Sequence, residues 1–215
     1  MSSGTDGKFG EMTWKTWRWV TRLHQAILSN AHERVVKKLA AECADVNQPD
    51  RLHSNKTPLH LAALWSNVNV TKILLKAGGD GSARDSDGHT PLHDAAIQGK
   101  MDVIIQILKA KGVDKNAVDG VGQTALHLAA LKGNVLAVKS LMSAGVDLSI
   151  LNKRGFTAQE VARNERLRLE GIQDFPDLIK RVEELREVEA ILDDKKDITD
   201  ELKGRMNTIS ISDGN

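Results

Sequence analysis

A four-residue phrase, Thr-Pro-Leu-His, returns along this chain on a nearly fixed period, and that period limits the fold more than any other feature. It stands at Thr57–His60 and Thr90–His93, followed by Thr124-Ala125-Leu126-His127 and a weaker Thr157-Ala158-Gln159-Glu160. Successive threonines are 33, 34 and 33 residues apart. A unit this short cannot bury an apolar face by itself, so its copies must stack to share a core.

Each unit carries its own start and stop signals. Pro58 and Pro91 suit the first turn of a helix, where the missing amide proton matters little, with Thr57 and Thr90 before them as N-caps. The pairs Ala62-Ala63, Ala95-Ala96 and Ala129-Ala130 lack bulk, so neighbouring helices can approach closely. A second helix is written by Val70, Thr71, Leu74 and Leu75, then Val103, Ile104, Ile107 and Leu108, then Ala137, Val138, Leu141 and Met142. That i, i+1, i+4, i+5 set is one face of a helix. Gly78, Gly112 and Gly145 provide left-handed stops, and Asp80, Asp114 and Asp147 open the turn toward the next unit.

The T-P-L-H-x-A-A phrase at 33–34-residue spacing resembles the ankyrin-repeat family. The resemblance implies an all-α solenoid of about five helix-turn-helix repeats, with finger-like hairpin loops and a C-terminal capping helix. A degenerate first copy is Thr21-Arg22-Leu23-His24-Gln25-Ala26, 36 residues ahead of Thr57, with Val35, Val36, Leu39 and Ala40 as its second-helix face. Cys43 stands there where later copies have glycine. The array is expected over 21–192, with repeats near 21–56, 57–89, 90–123, 124–156 and 157–192. A polar N-terminus with a Trp-rich capping segment fills 1–20, and a charged amphipathic extension fills 193–215. Before that extension, Asp174-Phe175-Pro176-Asp177 starts a helix carrying Leu178, Val182, Leu185, Val188 and Leu192 on one face.

Composition narrows the partners. The formal net charge is +1, which gives no electrostatic case for nucleic acid or an anionic membrane. No apolar run reaches the ~18 residues a membrane span needs. The opening residues are polar and lack a leader's apolar stretch, and Cys43 is the single cysteine. These features point to a reducing, intracellular setting, cytoplasmic before nuclear, and to a monomer by default.

A search for chemistry returns little. His60, His93 and His127 sit one repeat apart, so they form a ladder and do not converge on a metal. His89 and His93 are four apart, but Pro91 and the helix start between them spoil a shared face. Gly120-Val121-Gly122 is too short for a phosphate loop, and the Asp85/Asp87 pair lies in a finger. No catalytic constellation, metal or cofactor is expected.

Binding is better marked. Leu28, Leu64, Ile97 and Leu131 fall seven residues after each motif threonine, a row suited to burial between helices or to partner contact. Trp65 follows Leu64 where the other repeats have Ser29, Gln98 and Lys132, and a large aromatic there has the character of a hot spot. By the resemblance, partners meet fingertips and first-helix ends. That makes Lys56, Asp87, His89, Gln123, Arg154 and Phe156 a rim, together with His53, Ser86, Val121 and Lys153. Trp14, Trp17 and Trp19 suit an edge cap, with one left outward for a partner. The resemblance also marks Asn47 and Asn116 as candidate substrates of an asparaginyl hydroxylase, while the residues themselves favour the structural reading, an Asn that hydrogen-bonds its own turn. The expected function is a non-catalytic adaptor, inhibitor or assembly subunit gripping a protein in the concave groove. The alternative is a structural subunit of a cytoskeletal or ciliary assembly, docking through the Trp-rich segment and the C-terminal helix, with Val188, Ile191, Leu192, Ile198 and Leu202 against a neighbour.

Overall fold

The computed structural model describes residues 22–29, 31–42, 45–65, 67–170 and 177–194. They form ten helices in five pairs. The pairs are α1 (22–28) with α2 (Glu33–Glu42), α3 (Pro58–Leu64) with α4 (Val68–Lys76), α5 (Pro91–Gln98) with α6 (Met101–Leu108), α7 (Ala125–Leu131) with α8 (Val135–Ser143), and α9 (Ala158–Glu170) with α10 (177–194). No strand occurs among the described residues. Isolated antiparallel bridges, Asp50 with Lys56 and Val118 with Thr124, mark two of the fingers. Trp14, Trp17, Trp19, Cys43, Asp174–Pro176, Ile198 and Leu202 lie outside the described residues.

Stacking gives two layers. First helices meet first helices, α3 on α5, α5 on α7 and α7 on α9, while α2, α4, α6 and α8 stack beside them. The alanine pairs explain the spacing: Ala62, Ala63, Ala95, Ala96, Ala129 and Ala130 are fully buried. The core divides at α3, with Ala62 in a cluster running back to Leu23 and Ala63 in one running on to Leu192. In the first repeat Val36 and Ala40 are buried, but Val35 is 46% exposed, so the expected four-residue face is narrower there.

The one 34-residue interval can be placed. The motif threonine lies 21 residues before Gly78 and Gly145 but 22 before Gly112. The extra residue belongs to the turn Lys109–Lys111 beyond α6, so the helix stack keeps its register. All three glycines take positive φ (91°, 77° and 71°), as left-handed stops require.

The fourth motif copy keeps the device and changes the residue. Glu160 takes the place of histidine, and its Oε2 accepts from Thr157 N at 2.8 Å and Thr157 Oγ1 at 2.9 Å, closing a capping box. On α10, Val182, Leu185, Val188 and Leu192 are buried in the core and Ile191 packs against it. Their apolar row is therefore internal, which removes these residues as a docking surface for a neighbour. Arg166 reinforces the join, its Nε 2.6 Å from Glu189 Oε1.

Candidate partner-binding face

Fingers and first helices are fastened by the motif histidines. Thr57, Thr90 and Thr124 each donate a backbone N–H to Nδ1 of the histidine three residues on, at 3.2, 3.1 and 3.2 Å. Since Nδ1 accepts, the neutral ring must carry its proton on Nε2. That proton is given to the next finger: His60 to His89 O, His93 to Gln123 O and His127 to Phe156 O, each at 3.0 Å. His24 makes the same approach to Lys56 O at 3.3 Å. Burial pushes all three motif imidazoles, His60, His93 and His127, below the ordinary histidine range.

The fingertips are also joined to one another through backbone. Ser86 N donates to Ser54 O at 2.9 Å, Gly120 N to Asp87 O at 2.8 Å and Lys153 N to Val121 O at 3.1 Å. Gly88 shows how close the approach is: it sits at φ 80°, and a Cβ there would lie 2.8 Å from Gly120 N. The fingertips are thus held in a fixed row by backbone bonds from one finger to the next.

A charged cluster fills the middle of this face, and sequence reasoning missed it. Lys56 Nζ lies 2.5 Å from Asp85 and 3.0 Å from Asp94. His89 sits 3.8 Å from Asp94 Oδ1 and 3.4 Å from Asp119 Oδ2, its ring stacked on His93 with centroids 5.6 Å apart. Burial works against the Lys56 ammonium, but the carboxylates outweigh it and hold its pKa above the usual lysine value. Burial likewise opposes ionised Asp85, and Lys56 outweighs it, keeping the carboxyl below its ordinary range. The nearby Asp94 carboxylate, an ion-pair contact at this distance, is the chief cause that raises the His89 pKa. The missed signal was Asp94 itself, which replaces the leucine that stands at Leu61 and Leu128 in the flanking repeats.

His60, Asp85 and Asp94 come close enough together to suggest a cation site. Lys56 already supplies the positive charge there, and both ring nitrogens of His60 are engaged in the joint just described. The arrangement does not suit a metal ion.

The expected contact residues divide by environment. Leu64, Ile97 and Leu131 are half-buried, while Gln98 and Lys132 are exposed. Trp65 ends α3 with 62% of its surface exposed. Asp87 and Arg154 are exposed, Gln123 is half-buried and Phe156 is 37% exposed. Lys56 and His89 are held inward by the charged cluster. Asn47 and Asn116 tie successive repeats together: Asn47 Oδ1 accepts from Asp80 N at 2.7 Å, and Asn116 Oδ1 from Asp147 N at 2.9 Å. Gln123, Leu131, Arg154 and Phe156 share a groove of about 520 Å3 with Val121 and α9 residues.

Stacked helix pairs carrying a fixed row of fingertips define a protein-interaction module. The chain belongs to the ankyrin-repeat family: the family model described as "Ankyrin repeats (3 copies)" matches residues 23–119 and 100–169. Rabankyrin-5 of Mus musculus is 36% identical over 98 residues, covering 41% of this chain and 8% of the relative. NF-kappa-B inhibitor alpha of Gallus gallus is 39% identical over 87 residues, covering 38% and 26%. The Gallus gallus nuclear factor NF-kappa-B p105 subunit is 31% identical over 147 residues, covering 65% and 15%. The chain thus spans about a quarter or less of the length of these relatives. No helix among the described residues is long and apolar enough to cross a membrane.

Proposed function

We propose that the chain is a non-catalytic, intracellular adaptor or inhibitor that holds a protein partner on the face built from its fingertips and first-helix ends. Trp65 carries the reading. Capping α3, it places a large aromatic in solvent beside half-buried Leu64, on a face whose fingers are bonded tip to tip. Burying such a side chain in a partner is the usual way a rigid surface gains affinity. Ile97, Gln98, Leu131 and Lys132 continue the row, and Asp87, Gln123, Arg154 and Phe156 form its rim. One relative is by name an inhibitor of NF-kappa-B, which favours an inhibitory role among the options. The internal packing of α10 weighs against docking through that helix.

The test is affinity capture from cell lysate with wild type, Trp65→Ala/Ile97→Asp, and a control altered on the second-helix layer, Lys72→Glu/Lys109→Glu, each shown to fold by circular dichroism. A partner lost only with the first variant supports this face. A partner retained by that variant moves the interface to the terminal segments and favours the assembly-subunit reading.

A further inference from the structure

The groove between the third and fourth fingers differs in charge from the rest of the face. Its floor is apolar, with Val121 58% exposed, Phe156 partly exposed and Leu131 half-buried. Around that floor stand three cations, Lys153, Arg154 and Arg168, and one carboxylate, Glu165. Arg168 holds Glu165 through Nε at 2.8 Å and Nη2 at 2.7 Å. Lys153 Nζ reaches only a backbone carbonyl, Gly120 O at 2.6 Å. The Arg154 guanidinium has no bond to any described residue. Positive charge is therefore left over beside an exposed apolar floor, in a chain whose net charge is only +1. One repeat earlier the situation reverses, because Asp85, Asp94 and Asp119 are buried and matched by Lys56 and His89.

We propose that this groove takes an extended acidic segment of the partner protein, with one apolar side chain seated on Phe156, Val121 and Leu131 and flanking carboxylates on Arg154 and Lys153. The proposal rests on the partner-binding reading above and names the chemistry of what binds. Arginine presents a planar fork that accepts a carboxylate in two hydrogen bonds, and Arg154 is the fork left open. A nucleic acid fits less well. Single strands ask for several aromatic platforms, and Phe156 is the one aromatic among the described residues that line the groove.

Selection of a random dodecapeptide phage library on the full chain tests this, followed by fluorescence anisotropy of the selected peptides. The variants are Arg154→Glu/Arg168→Glu and Phe156→Ala, all at exposed positions, with folding checked by circular dichroism. Selected peptides should be rich in Asp and Glu around one or two of Leu, Ile or Phe. Their affinity should fall on the order of tenfold in the charge-reversal variant and in Phe156→Ala, and weaken with salt. Peptides without acidic residues that still lose affinity in Phe156→Ala would overturn the acidic assignment and leave the binding face intact. Peptides indifferent to Phe156→Ala and to Trp65→Ala/Ile97→Asp would overturn both. Failure to enrich any peptide, or tighter binding of a dT dodecamer that displaces the peptides, would also overturn the assignment.

Discussion

His93 Nε2 donates to Gln123 O across 3.0 Å, so a side chain at the start of one repeat holds the last residue before the next motif threonine. The same relation joins His60 to His89 and His127 to Phe156. Each ring satisfies one orphan amide at its own helix start and one carbonyl of a neighbouring finger. His93→Leu keeps comparable bulk and leaves Thr90 N–H and Gln123 C=O without a partner. The expected loss is on the order of 2 kcal/mol, read as a lowered urea midpoint with unchanged slope. An unchanged midpoint would mean that water or a shifted finger replaces the joint.

These imidazoles also set a pH dependence whose sign can be worked out. His60, His93 and His127 have folded pKa values pushed down by burial. Their contribution is complete above the ordinary value of about 6.5 and is lost as pH falls from there through the folded values. His89 runs the other way: its pKa is raised, so its contribution is complete below about 6.5 and lost as pH rises through the folded value. The three lowered imidazoles therefore weaken the fold as pH falls below about 6.5, where the His89 contribution is already complete. His89→Asn removes a gain that accrues as pH falls toward about 6.5, so the wild-type midpoint should gain there relative to the variant's, and the two should run parallel below it. Midpoints that run parallel above about pH 6.5 as well would contradict the assignment of His89.

Lys56 illustrates how a buried pair reacts to losing one member. Lys56→Met leaves Asp94 with only His89, 3.8 Å away and charged only when protonated, and should cost about 3 kcal/mol. Asp85 suffers less, since its Oδ1 still accepts from Asp87 N and His89 N at 2.9 Å each. Adding Asp94→Leu restores the residue type found at Leu61 and Leu128 and should return much of the loss. A double-mutant cycle by chemical denaturation checks the coupling, and additive effects would show that the two residues do not depend on each other.

The fold was legible because the motif carries local instructions whose outcome is the same in every copy. Thr caps, Pro at the first turn, alanine pairs and the i, i+4 apolar set all act within one unit, so the period alone exposes them. The C-terminal row through Leu185 was legible for the same reason, though whether it faced inward could be decided only by the surface it meets. The charged cluster was not legible. Lys56 and Asp94 are 38 residues apart, and what joins them is the stacking of one finger on the next repeat. Comparison of repeats against one another carries the trace: a residue breaking the motif at a buried position, as Asp94 does, must be answered by another element. For the contact row, Leu64 and Ile97 fall between burial and exposure, because a helix end in a stack has one side covered and the other open. Sequence periodicity cannot separate those two sides.

The closing helix offers a test of how far a disturbance travels. Leu185 on α10 is fully buried in the second core cluster, and its Cγ would lie 3.6 Å from a Cβ added at Gly133. Leu185→Ala should cost about 3 kcal/mol, the range for a leucine removed from a packed core. In a stack where each repeat touches only its neighbours, that loss should fall first on α7 to α10 and leave α3 and α4 protected longer. Val36→Ala, in the other cluster, should give the mirror image with a smaller loss. Hydrogen–deuterium exchange read by mass spectrometry separates the two ends. If Leu185→Ala instead accelerates exchange uniformly from α2 to α10, the array opens as a single cooperative unit, and the division of the core at Ala62 and Ala63 has no energetic meaning.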